Sequence, residues 1–176
     1  DLSEKIARDV TLQMGKPIQQ ARSECQGTLE RADYMVSIAE QTLAPDILPP
    51  KDGLIRRIEH VPLGVVFNVA AWNYPLLIPI NVIVPALLAG NTVLFKHSAR
   101  TPLCGKYFEE VFGDLEIPHL VTNLMVDHSK TGAIIADPRI RYVAFTGSVE
   151  GGREIHRHVA NRFIDVGLEL GGNDPA

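Results

Sequence analysis

The sequence predicts an α/β fold, a doubly wound parallel sheet with crossover helices, preceded by two further helices. From Gly64 onward, short apolar, β-branched runs alternate in strict succession with stretches of helical pattern, as a chain of βα units requires. The runs are continuously apolar, so their strands are expected to be buried on both faces. The runs end on polar or glycine-rich clusters, at the strand ends where open parallel sheets bind ligands.

The elements follow in order. Ile6, Val10 and Met14 recur every four residues, and Gly15-Lys16-Pro17 ends that first helix. A second helix runs from about Ile18 to Leu43, with Ala21, Cys25, Ala32, Val36, Ala39 and Leu43 as its apolar stripe. Pro45, Pro49 and Pro50 end it and begin a linker, so residues 1–50 read as an N-terminal helical unit. Residues 51–63 hold an extended segment, GLIRRIEH, and the turn Pro62-Leu63-Gly64. Residues 64–176 form the α/β core. Its strands are expected at Val65–Ala71, Thr92–Lys96, Leu120–Val126, Tyr142–Thr146 and Val166–Leu170. The intervening helices run up to Ala89, then over Pro102–Phe112, Thr131–Ala136 and Glu150–Ala160.

Composition narrows the function. The 176 residues suit one sizeable domain, and 45 % apolar with 22 % charged residues is the balance of a soluble globular protein. A net charge of −4 with scattered basic residues argues against nucleic acid as a partner. His156 and His158 are two apart on a predicted helix and do not face each other, so no metal site is expected. Cys25 and Cys104 form neither a CxxC motif nor a disulfide framework, which fits a reducing, cytoplasmic location. The opening DLSEKIARDV shows no signal peptide. The apolar stretch from Leu76 to Ala89 falls short of the ~20 residues of a membrane span.

The strand-end clusters each admit two readings. Gly147-Ser148-Val149-Glu150-Gly151-Gly152 either cradles an anion such as a pyrophosphate at a helix start, or is an ordinary turn with Ser148 as N-cap. Lys96 could hold a ribose hydroxyl or phosphate, or extend its ammonium to solvent from the sheet end. Asn73 can donate to a developing oxyanion or cap a turn. Glu169 ends an otherwise apolar strand, where a carboxylate needs hydrogen bonds or takes a raised pKa suited to a general base; the plainer reading is a solvated strand terminus.

Taken together and in order, PLGVVFNVAAWNYP, PALLAGNTVLFKHS, YVAFTGSVEGG and LELGGNDP resemble the aldehyde dehydrogenase superfamily. The resemblance spans Pro62 to Pro175 and extends to the upstream GKP at Gly15–Pro17. It implies a variant Rossmann-like sheet that binds NAD or NADP, with an aldehyde as substrate. Asn73 would donate to the thiohemiacetal oxyanion, and Glu169 would activate water for deacylation. Lys96, with Ser98 and Ala99 beside it, would lie at the adenosine ribose. Gly147, Ser148, Gly151 and Gly152 would face the pyrophosphate, and Trp72, Leu170 and Gly171 would contact the cofactor. The segment near residues 53–60 would belong to an oligomerisation hairpin of a homo-oligomer. The family's nucleophilic cysteine lies beyond LELGG, past Ala176, so the catalytic domain is expected to be absent and the chain alone inactive.

Several positions depart from the family pattern. Ala71 and His97 stand where proline is common, Asn173 where lysine is usual, and Asp127-His128 where glycine-rich sequence is frequent. Ala99 stands where NAD-preferring relatives carry a glutamate for the ribose hydroxyls, and Arg100 follows it. That departure predicts acceptance of NADP. A cofactor-binding or oligomerisation module without catalysis is the alternative reading. A coenzyme A-acylating relative fits less well, because Glu169 would have little use there. An ordinary Rossmann enzyme is disfavoured because no GxGxxG opens a helix.

Overall fold

The computed structural model describes residues 2–172, so Asn173 and the end of the LELGGNDP motif lie outside the described residues. Helix α1 spans Leu2–Met14 and α2 spans Ile18–Thr42, separated by the glycine and proline that the sequence marks as a break. The described core covers the stripe of α2 only as far as Ala32 and Met35. Val36, expected on that stripe, is instead 58 % exposed.

The proline-rich linker expected after α2 is a strand. Residues Asp46–Lys51 form β1, which pairs antiparallel with β2, Leu54–Ile58. The turn between them is Asp52-Gly53, both at positive φ (52° and 77°), the two-residue geometry whose twist suits a hairpin. Pro49 and Pro50 have no N–H to donate, and the register shifts between Leu48 and Lys51, where they sit. The hairpin is exposed along its whole length.

The remaining elements are β3 (Val65–Val69), α3 (Leu77–Leu88), β4 (Thr92–Lys96), α4 (Pro102–Gly113), β5 (Val121–Asn123), α5 (Thr131–Ala136), β6 (Ile140–Thr146), α6 (Val149–Val159) and β7 (Asp165–Glu169). The five core strands are all parallel, in the order β5-β4-β3-β6-β7. The third predicted strand, Leu120–Val126, shrinks to three residues. Beyond Leu124, whose N–H still reaches the Phe95 carbonyl, Asp127 caps a short 3-10 turn at His128–Lys130 and draws the chain away. The expected two-sided burial describes β3 and β4, whereas β7 has exposed ends because it is an edge strand.

Helices cover both faces of the sheet. Val66, Ala70, Val93 and Phe95 pack with α1, α2, α3 and α4 on one side. Phe67, Val69 and Val143 pack with α5 and α6 on the other. The first side is organised by an ion pair. Glu24, 3 % exposed, pairs with Lys16 from the α1–α2 break. Its other oxygen accepts from the backbone N–H groups of Leu76 and Leu77, 2.8 and 3.2 Å away, at the start of α3. One carboxylate thus neutralises a buried ammonium and satisfies two N–H groups that a helix start leaves open.

Removing it strands all three partners. Glu24→Ala is expected to lower the unfolding free energy by about 3–5 kcal/mol, the usual cost of leaving half a buried pair behind. Urea unfolding followed by circular dichroism measures it, and a midpoint within error of the parent would contradict this account of the junction.

Candidate functional site

The strand order determines where a site can form. From β3 the chain adds β4 and then β5 on one side, and then crosses back to place β6 on the other. Crevices open at such reversals, beyond the carboxyl ends of the strands. Val69 stands level with Lys96 and with Phe145, and Thr146 with Glu169. Side chains alternate between faces along a strand. Lys96 therefore shares the α5–α6 face with Val69 and Phe145, while Glu169 shares the α3 face with Thr146.

Lys96 is 2 % exposed. Burial lowers the pKa of its ammonium, with the Asp127 charge acting in the opposite sense. Among the described residues the ammonium forms no ion pair or hydrogen bond. An ammonium on a buried side chain with no protein acceptor can take ribose hydroxyls or a phosphate as its acceptors.

Close packing shapes the start of α6. Ser148 is the N-cap, its Oγ accepting from the Gly151 N–H at 3.1 Å. A Cβ on Gly147 or Gly151 would stand 2.6 or 2.7 Å from the Phe145 ring, and one on Gly152 would stand 2.5 Å from Leu170 Cδ2. The backbone thus lies flush on Phe145 and Leu170, and the first-turn N–H groups that Ser148 does not cap are those a helix start leaves without an intrahelical partner. This glycine-lined helix start and the buried Lys96 fit an anionic dinucleotide. Around them, Ser98 is half-buried, and Ala99 and Gly171 are exposed. Trp72, 39 % exposed, carries the Arg100 guanidinium over its ring at 4.7 Å, a cation–π contact.

Asn73 and Glu169 are both exposed, and neither side chain has a hydrogen-bond partner among the described residues. Of the two readings left open for Glu169, the structure has the solvated strand terminus: β7 is an edge strand among the described residues and its last residue is exposed. The segment carrying Asn73 is nevertheless held at several points. The Ala70 N–H donates to the Lys96 carbonyl at 3.1 Å, and Lys16 Nζ lies 4.0 Å from the centre of the Tyr74 ring. Glu24 fixes the residues that follow. The sequence reading missed Lys16 and Glu24, although a glutamate between Ala21 and Cys25 on an apolar helix face was a visible signal. It noted His97 only as a replacement for proline.

Comparison with known proteins assigns the family and the fold. The model of the aldehyde dehydrogenase family matches residues 2–176. The chain belongs to the aldehyde dehydrogenase family. It is 33 % identical to a 3,6-anhydro-alpha-L-galactose dehydrogenase of Streptomyces coelicolor, over 98 % of this chain and 35 % of that protein. It is 36 % identical to a succinate semialdehyde dehydrogenase [NAD(P)+] of Escherichia coli, over 98 % of this chain and 37 % of that protein. Among solved structures, a succinic semialdehyde dehydrogenase from Streptococcus pyogenes in complex with NADP+ superposes with a TM-score of 0.91 at 30 % identity, over 97 % of this chain and 38 % of that one. The chain thus spans a little over a third of the length of these relatives.

Within this aldehyde dehydrogenase chain, neither cysteine is placed to act as a nucleophile. Cys104 is fully buried and Cys25 nearly so. Burial pushes the Cys104 thiol up to about 12 and raises that of Cys25, the opposite of the activation a catalytic thiolate needs. Iodoacetamide at pH 8 should leave both unmodified in the folded protein and label both in urea. Peptide mass mapping reads the outcome, and rapid labelling of Cys104 without denaturant would refute the assignment.

Proposed function

We propose that this chain is the cofactor-binding part of an NAD(P)-dependent aldehyde dehydrogenase that oxidises an aldehyde to a carboxylic acid. The observation that carries this reading is the grouping, around the reversal of strand order, of the buried Lys96, the glycine-lined start of α6, Asn73 and Glu169. Lys96 holds the adenosine ribose and the open N–H groups of α6 hold the pyrophosphate, with Trp72 and Leu170 alongside. When bound, NAD(P) supplies the hydride acceptor.

A cysteine thiolate from beyond this chain adds to the aldehyde carbon, and the Asn73 amide donates to the oxyanion that forms. Loss of a hydride from that adduct to the acceptor would leave a thioester, and Glu169 would take a proton from the water that attacks it, its exposure keeping it in contact with solvent. Without the thiolate the chain alone binds cofactor but does not turn over aldehyde. The exposed hairpin, with Ile47, Leu54 and Ile55 outward, supports association with a second copy. The two isolated thiols suit a cytoplasmic setting.

The full-length protein tests the roles. Asn73→Ala should lower kcat by about 10²-fold. Glu169→Gln should retain a burst of reduced cofactor while steady turnover falls about 10²–10⁴-fold. Unchanged turnover in Glu169→Gln would remove Glu169 from the mechanism.

The cofactor is proposed to include NADP. Ala99 places no carboxylate beside Lys96 to repel a 2′-phosphate, and Arg100 adds positive charge nearby. Ala99→Glu should weaken NADP binding about tenfold or more relative to NAD, since like charges brought together are costly. Titration of both cofactors by fluorescence reads this, and a clear NAD preference that Ala99→Glu leaves unaltered would sink the idea.

A further inference from the structure

His97 is 6 % exposed and has no part in the roles above. Its ring is engaged at both nitrogens. Nε2 lies 2.9 Å from the Pro75 carbonyl oxygen. A carbonyl only accepts, so Nε2 carries the proton and donates it. Nδ1 lies 2.8 Å from the Ser98 backbone nitrogen and 2.9 Å from Thr101 Oγ1. A backbone N–H only donates, so Nδ1 carries no proton and accepts from both. The ring is therefore held as one neutral tautomer, and burial, which lowers its pKa, acts in the same sense. Phe95 packs against it edge-on, with ring centres 5.4 Å apart.

These bonds join two strand ends. Lys96 and His97 are consecutive, so Lys96 turns to the α5–α6 face while His97 turns to the α3 face and meets the chain leaving β3. Pro75 lies two residues beyond Asn73. Asn73 is exposed and has no hydrogen bond of its own among the described residues, so its amide takes its position from the backbone on either side. Ala70 is tied to the Lys96 carbonyl before it, and the Pro75 carbonyl is tied to His97 after it.

We propose that His97 is a positioning residue, which fixes the segment bearing Asn73 against the strand end bearing Lys96 by holding the Pro75 carbonyl. The proposal rests on the reading of Asn73 as the oxyanion donor. His97 then acts through Asn73 and does not touch the reacting atoms. A shift of about 1 Å in such a donor is enough to reduce turnover 10- to 100-fold.

The test uses the full-length protein and three variants. His97→Asn keeps an acceptor near the Nδ1 position for Ser98 and Thr101 but is too short to reach Pro75. His97→Gln extends an N–H toward Pro75. Asn73→Ala removes the group being positioned. His97→Asn should lower kcat about 10- to 100-fold, with NAD(P) affinity and the unfolding midpoint close to the parent. His97→Gln should restore most of the loss, and the double variant Asn73→Ala/His97→Asn should be no slower than Asn73→Ala alone. Additive losses in the double variant, or a loss of cofactor affinity matching the loss of kcat, would overturn the positioning role. If Asn73→Ala is impaired and His97→Asn is not, the His97 proposal falls alone. If Asn73→Ala itself keeps full kcat, the oxyanion reading falls and takes this proposal with it.

Discussion

A single buried carboxylate organises one side of this molecule. Glu24 lies in the core formed by α1, α2, α3 and α4, where an unpaired charge would be strongly destabilising. It is compensated three times over, by Lys16 from the α1–α2 break and by the first backbone N–H groups of α3. These partners come from distant stretches of sequence, so the N-terminal helices can dock on the sheet only in a position that serves all of them. Lys16 also lies against the Tyr74 ring. The helices that precede the sheet therefore help to hold the segment carrying Asn73, far from them along the chain.

The sheet contributes the second constraint. Because β6 returns to the far side of β3, the carboxyl ends of β3 and β6 adjoin where the connections lead away in opposite directions. Alternation of side chains then sorts the site by face. Lys96 and the Phe145 platform under α6 lie on one face, while Glu169 and the segment entering α3 lie on the other. The proposed cofactor contacts and the proposed carbonyl chemistry thereby fall on opposite faces of one strand-end crevice. His97, one residue beyond Lys96, reaches across from the first group to the second.

Much of the fold was legible because local signals and tertiary structure agree. The strand Thr92–Lys96 and the helix Thr131–Ala136 have the bounds expected from their apolar runs. Where expectation failed, a particular competitor prevailed. Pro49 and Pro50 suggested a linker, yet the Asp52-Gly53 turn was the stronger signal and drew them into a hairpin strand. The third core strand was overextended because an apolar run does not reveal that the neighbouring strand has ended, or that Asp127 will cap a turn. At Glu169 the apolar neighbours left an enclosed and a solvated carboxylate equally open, and the tertiary structure, which exposes the end of the β7 edge strand, decided for the solvated one.

The sequence by itself determined the order of strands and helices, the glycine and proline breaks between them, and which residue types stand at each strand end. These are local properties, dictated by backbone preference and hydrophobic periodicity within a few residues. Tertiary structure alone decided which strand lies beside which, and therefore which clusters meet and on which face. It also decided that Lys96 is buried without an ion-pair partner among the described residues, that Glu24 meets Lys16 and the start of α3, and that His97 holds the Pro75 carbonyl. The physical reason is that burial and hydrogen-bond partnership belong to pairs of groups distant in sequence, and a local pattern cannot specify a partner it does not contain.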